Sequence, residues 1–155
     1  MAQVASNTLF TIGYEGVIVD DFLETLRKVG VQTLIDIRDV PVSRRPGFSK
    51  SALAQRSGDA GIIYTHLRAL GDPKEGREAA RAGRYETFRT IFTAHLGTQG
   101  AQAALNEAIE IANDTVACLL CYERDHRFCH RALVAAEMNR LGGFSLKHIG
   151  VPQRK

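Results

Sequence analysis

The segment "VQTLIDIRDV", residues 31–40, carries a nearly continuous apolar run (Leu34, Ile35, Ile37) that ends among Asp36, Arg38 and Asp39. A strand with one wet face alternates apolar and polar residues, whereas a strand covered on both faces does not. The run therefore reads as a buried strand of a parallel sheet, with helices packed on both sides.

The flanking sequence agrees with that reading. "TLFTIGYEG" (8–16) reads as a strand ending at a glycine turn. "VDDFLETLRKVGV" (19–31) reads as a helix, with Phe22, Leu23, Leu26 and Val29 at helical spacing. Asp20 and Asp21 sit in its first turn and Gly30 closes it, as helix-end electrostatics favour. "PVSRRPGFSK" (41–50) is a loop broken by two prolines and a glycine. A short helix follows at 50–58, then a third strand, "GIIYTHL" (61–67). Residues 68–84 are polar with Gly and Pro, and read as a loop with some helix. A connection that long is a candidate lid or mobile flap. Helices are expected at 85–97 and 98–114, the first with Phe88, Ile91, Phe92 and Leu96 on one face. "TVACLLCYE" (115–123) is the clearest strand, followed by a helix at 128–143 and a last strand at 144–150. Strands alternating with helices give an α/β fold. The expectation is a mainly parallel five-stranded sheet with helices on both faces, a Rossmann-like three-layer sandwich, in a single domain over residues 1–155.

Composition bounds the function. A chain of 155 residues has no need of a disulfide or metal to fold. No apolar run reaches the roughly 18 residues of a membrane span, so no membrane partner is expected. "MAQVASNTLFTIGYEG" lacks the positive start of a signal peptide. The expected location is the cytoplasm, where cysteines stay mostly reduced. Net charge is only +3, but 15 of the 20 basic residues are arginine. Arginine is the planar, bidentate binder of phosphate and carboxylate, although genomic base composition gives the same bias.

In open α/β sheets ligands bind beyond the carboxyl ends of the strands, near a switch in strand order. Three constellations fall there. In "DIRDVPVSRRPGF", Asp36 and Arg38 share a face at a strand's end. They either pair with each other or reach a ligand. The loop adds Ser43, Arg44, Arg45 and Phe48, and residues 36–50 hold four basic against two acidic side chains, which suits an anion. In "YTHLRALGDPKEGR", Tyr64 and His66 alternate onto one face, and His66 is either a general base or a structural histidine. Tyr14 and Glu15 occupy the equivalent place after the first strand.

The third constellation is "CLLCYERDHRFCHR" (118–131), which holds all three cysteines and two of the five histidines. Cys118-x-x-Cys121 has zinc-ribbon spacing, but that spacing serves a metal on a turn. In a strand, residues three apart point to opposite faces, so Cys118 is expected in the core. Cys121, Cys129, His126 and His130 remain able to form a site, yet no standard ligand spacing is present, and no metal is assigned. Cys121 and Glu123 share a face at the strand's carboxyl end. Cys129, His130 and Arg131 open the next helix, whose positive end and nearby arginines favour a thiolate. The cysteines are thus nucleophilic or redox-active, or they only pack. A Cys121–Cys129 disulfide is geometrically possible.

Taken together, "TIGYEG", "DIRDVPVSRRPGF", "GIIYTHLRALG" and "CYERDHRFCHR" resemble the domain of unknown function 488 family. The shared pattern falls on Asp36, Arg38, Pro41, Ser43 and Phe48, then on Cys121, Glu123, Cys129, His130 and Arg131. The resemblance implies one α/β domain with its distinctive residues at the strand ends, and it supplies no reaction. "LIDIRD" and the region from 119 to 150 are also similar to the rhodanese layout, in which Cys121 would carry a persulfide. The loop after Cys121 departs from it by having no glycine and by carrying Glu123.

The functional expectation is an enzyme-like protein that binds an anionic, phosphate-bearing ligand, such as a nucleotide or nucleic-acid fragment. Cys121, Glu123 and Asp36 are the candidate catalytic residues. Tyr14, Arg38, Ser43, Arg44, Phe48, His66, Cys129, His130 and Arg131 are the candidate ligand contacts, with Arg38, Arg44 and Arg131 meeting the anion. The cofactor is unknown from the sequence. The alternatives are a non-catalytic module for nucleic acid or protein, supported by a pI near 8.9, and a sulfurtransferase using Cys121.

Overall fold

The computed structural model describes residues 7–153. Within them, five strands form one sheet: β1 (Thr8–Gly13), β2 (Thr33–Asp36), β3 (Ile63–His66), β4 (Ala117–Cys121) and β5 (Ser145–Ile149). Their order across the sheet is β3-β2-β4-β1-β5 and every pairing is parallel. The carboxyl ends are level: Gly13 faces Cys121, and Asp36 lies between Leu120 and His66. The segment 31–40 thus supplies an inner strand, buried throughout, as its unbroken apolar run requires.

Six helices of the described residues cover the sheet: α1 (Val19–Val29), α2 (Lys50–Asp59), α3 (Lys74–Arg81), α4 (Tyr85–Leu96), α5 (Gln99–Asp114) and α6 (His130–Gly142). Side-chain alternation along each strand splits the interior in two. Phe10, Ile12, Leu34, Cys118 and Leu120 pack with Phe22 and Leu26 of α1 and Leu53 of α2. Leu9, Ile35 and Leu119 point the other way, onto Ala79 of α3, Phe92 of α4, Leu105 of α5 and Val134 of α6. The result is a three-layer α/β sandwich with the sheet in the middle. Cys118 is fully enclosed in the α1–α2 layer, and burial pushes its thiol well above the usual range.

Segment 68–84 contains more helix than its polar sequence suggests. A 3-10 turn spans Arg68–Leu70, and α3 fills Lys74–Arg81. Gly76 sits inside α3 because a Cβ there would overlap the Asp72 carboxylate. Ala79 anchors the helix in the core. Arg77 ties it down by donating to the Asp39 carboxylate (2.8 Å) and the Asp72 carbonyl (2.7 Å). The helix expected from residue 128 starts at His130, after a 3-10 turn at His126–Phe128. Cys129 is its N-cap: its sulfur accepts from the Arg131 backbone N–H at 3.5 Å. Among the described residues no helix is long and apolar enough to cross a membrane.

The topology fixes where a cleft opens. β1 and β2 send their chains into the α1–α2 layer, while β4, which lies between them, sends its chain to α6 on the opposite face. Loops leaving adjacent strands in opposite directions leave a crevice at the carboxyl edge.

Candidate functional site

A cavity of about 980 Å³ occupies that crevice, at the upper end of the usual range for small-molecule sites. Tyr14 enters it from just after β1, residues 38–40 and 42–46 from the loop after β2, Asp72 and α3 from beyond β3, and residues 121–123 and 128–130 from the end of β4 and the loop beyond it. Of the residues expected at the site, the cleft brings together Tyr14, Arg38, Ser43, Arg44, Cys121, Glu123, Cys129 and His130. Asp36, Phe48, His66 and Arg131 do not line it, and each has a structural reason.

Asp36 and Arg38 pair with each other in the interior. The guanidinium donates from Nε to Asp36 Oδ1 (2.8 Å) and from Nη2 to Oδ2 (2.7 Å). Arg38 Nη1 also donates to the Phe48 carbonyl (2.6 Å) and to Tyr14 Oη (3.1 Å). Tyr64 Oη donates to Asp36 Oδ2 at 2.5 Å. Burial works against the Arg38 charge, but the bond to Asp36, the Asp36 charge and the contact with Tyr14 together outweigh it and raise the pKa. Burial, then the Asp36 bond, raises the Tyr64 phenol as well. Phe48 is enclosed, stacked on Tyr14 at 4.5 Å between centroids. His66 bonds to the Arg38 carbonyl through Nε2 (2.7 Å). These groups brace the loop that carries Ser43 and Arg44.

Arg131 is enclosed as well, with 0% exposure. Its Nε donates to Thr11 Oγ1 (3.1 Å), Nη1 to Cys121 Sγ (3.3 Å) and to the Glu123 carbonyl, and Nη2 to the Arg124 carbonyl (3.2 Å). Burial brings its pKa down to about 10, and it stays charged near neutral pH. It holds the β4–α6 loop against β1 from within and does not reach the cleft. Gly13 makes this possible, since a Cβ there would overlap the Glu123 carbonyl and come within 2.7 Å of Arg131 Nη1.

Cys121 and Cys129, both buried at the cleft floor, are joined as a disulfide with their Cα atoms 7.3 Å apart. Cys121 Sγ lies 4.0 Å from Glu123 Oε1. His130 donates from Nε2 to the Ile37 carbonyl at 2.7 Å, because a carbonyl only accepts. Its Nδ1, 3.8 Å from Cys129 Sγ, therefore carries the lone pair. Burial brings the His130 pKa down to about 4, so the ring is neutral at pH 7.

Asp72 joins the site without any motif to announce it. It is 5% exposed, lines the cleft, and its Oδ1 has no hydrogen-bond partner among the described residues. Burial pushes its carboxyl up to about 7, Glu123 and Asp39 add to the rise, and Arg77 opposes it. Glu123 is raised too, chiefly by burial. Both acids thus hold protons more tightly than ordinary carboxylates. Arg44 and Arg81 also line the cleft; among the described residues no side-chain hydrogen bond or salt bridge holds either one, and the Arg81 charge opposes part of the rise at Glu123. Arg45 and Arg77, by contrast, are committed to the Val17 carbonyl and to Asp39. Exposed apolar side chains complete the lining: Val42 (71% exposed), Val40, Tyr122 and Phe128.

Fold and cleft together define an α/β protein of the parallel-sheet, three-layer class, with a pocket of mixed polar and apolar lining at its topological switch point. The family described as "Domain of unknown function DUF488" matches residues 18–138, and the chain belongs to that family. No curated protein and no solved structure matches the chain.

Proposed function

We propose that the cleft binds an anionic, phosphate-bearing ligand with an apolar or aromatic portion, of the nucleotide class, and carries out proton transfer on it. The observation behind this reading is Asp72: a buried carboxyl in a cleft, one oxygen unpartnered, holding its proton up to about pH 7. Strongly shifted groups in clefts mark working acids and bases. Arg44 and Arg81 supply the anion contacts, and the positive end of α6 supports them. Tyr122 and Phe128, exposed beside the cleft, offer ring faces to a base. Glu123 is the second proton-transfer group. A nucleophilic Cys121 needs a free thiolate, and its sulfur is shared with Cys129, so the reading places the proton chemistry on the acids.

Calorimetric titration with adenosine monophosphate, and separately with inorganic phosphate, tests the reading. Arg44→Ala and Arg81→Ala should each weaken nucleotide binding about tenfold, the loss of one charge-assisted contact of about 1.5 kcal/mol. Both variants should keep the wild-type unfolding midpoint. Wild-type affinity in the double variant would overturn the assignment.

A further inference from the structure

We propose that Cys121, Cys129 and His130, once the cysteine pair is reduced, form a three-donor site for a divalent metal ion of the zinc class. Their ligand atoms lie within 4.8 Å of one another and all three residues are buried at the cleft floor. Two thiolates and an imidazole suit a borderline-soft ion that prefers tetrahedral coordination.

The distances fit such an ion. With zinc–sulfur bonds of about 2.3 Å and zinc–nitrogen bonds of about 2.0–2.1 Å, a tetrahedral ion sets sulfur and nitrogen about 3.6 Å apart and two sulfurs about 3.8 Å apart. Cys129 Sγ and His130 Nδ1 are 3.8 Å apart. The Cα atoms of Cys121 and Cys129 stand 7.3 Å apart, wider than the roughly 4.4–6.8 Å typical of disulfides. That width leaves room for an ion between the reduced sulfurs.

Each donor also has the outer partner that metal ligands need. The Ile37 carbonyl takes the Nε2 proton of His130 and leaves the Nδ1 lone pair facing Cys129. Arg131 supports both sulfurs, with Nη1 on Cys121 (3.3 Å) and its backbone N–H on Cys129 (3.5 Å). These donors offset the charge of two thiolates. The fourth position faces the cleft, with Glu123 Oε1 4.0 Å from Cys121 Sγ. An ion there would leave that position for Glu123 or for water.

Assembly from the disulfide has two steps. Two equivalents of a thiol reductant convert the disulfide to two cysteine thiols and become one oxidised disulfide. The divalent ion then replaces the two thiol protons, which go to solvent.

The test uses the full chain, reduced, treated with a chelator and titrated anaerobically with cobalt(II), followed by zinc(II). Thiols counted after denaturation should number three, Cys118 included. Cobalt should bind at one equivalent, with a thiolate-to-metal charge-transfer band and the intense visible absorption of four-coordination, and zinc should displace it. Cys129→Ser keeps an oxygen at the N-cap, so α6 persists, and should weaken cobalt binding by at least about 100-fold. Cys118→Ala should leave the band unchanged. The proposal fails if only one thiol can be freed, if the reduced protein gives no band, or if Cys129→Ser binds as tightly as the wild type. The titration uses metal alone, so its failure leaves the anion-cleft reading standing.

Discussion

Replacing Asp72 with asparagine should make the protein more stable, increasingly so as pH rises. The substitution keeps the shape of the side chain but removes its ability to ionise. Asp72 titrates near its ordinary value of 3.8 in the unfolded chain and at about 7 when folded. Because the folded value is the higher one, the native state binds the extra proton. The wild type therefore loses stability as pH climbs from about 4 to about 7, and the loss is complete above that. At about 1.4 kcal/mol per pH unit, the loss sums to about 4 kcal/mol. The asparagine amide cannot titrate, so the stability difference between variant and wild type should widen by about that amount between pH 4 and pH 8. Any fixed effect of the amide cancels in this comparison. Urea unfolding of both proteins at pH 4, 5, 6, 7 and 8 gives the curve. A difference that stays flat across that range would refute the claim that Asp72 is held protonated by burial.

The other predictions concern the supports of the cleft. Arg131→Met should cost about 3 kcal/mol or more in urea unfolding, since it strips partners from Thr11 and from two loop carbonyls; a loss below about 1 kcal/mol would contradict the enclosed network. Arg38→Met should cost about 3–5 kcal/mol by leaving the Asp36 carboxylate buried without its cation. A variant that binds nucleotide poorly but unfolds like the wild type would instead make Arg38 a direct ligand contact. Gly13→Ala should destabilise by about 2 kcal/mol, because its Cβ must displace the Glu123 carbonyl. A neutral outcome would show that the β4–α6 loop gives way freely.

What the sequence disclosed, and what it withheld, follows the reach of each interaction. Strands announce themselves locally, so the apolar run of 31–40 and the strand before Tyr122 could be read directly. Cys118 could be placed in the core for the same reason, since strand alternation turns it away from Cys121. α3 was harder, with one core anchor, Ala79, and a glycine in its middle whose purpose is the nearby Asp72. Arg131 looks like an anion contact because it opens a helix beside other arginines. Its enclosure depends on Thr11, 120 residues away, and no local pattern carries that information. Asp72 lies in "LGDPKEG", a polar stretch that reads as surface. The available clue was position alone, an acid beyond the carboxyl end of β3 in a segment already marked for the cleft. Burial, the property that gives Asp72 its chemistry, arises only when α3 and the loop after β2 close over it.

The place of β1 in the sheet sets how the protein can be cut. The family match begins at residue 18, after β1, and ends before β5. Yet β1 lies between β4 and β5 and carries both Thr11 and Gly13. A fragment trimmed to residues 18–138 would lay bare one full edge of β4, the row of unpaired amides and carbonyls on which chains aggregate. It would also leave the Arg131 Nε without Thr11. The segment matched by the family is therefore smaller than the segment that must be expressed, and libraries, truncations or fusions should keep both flanking strands.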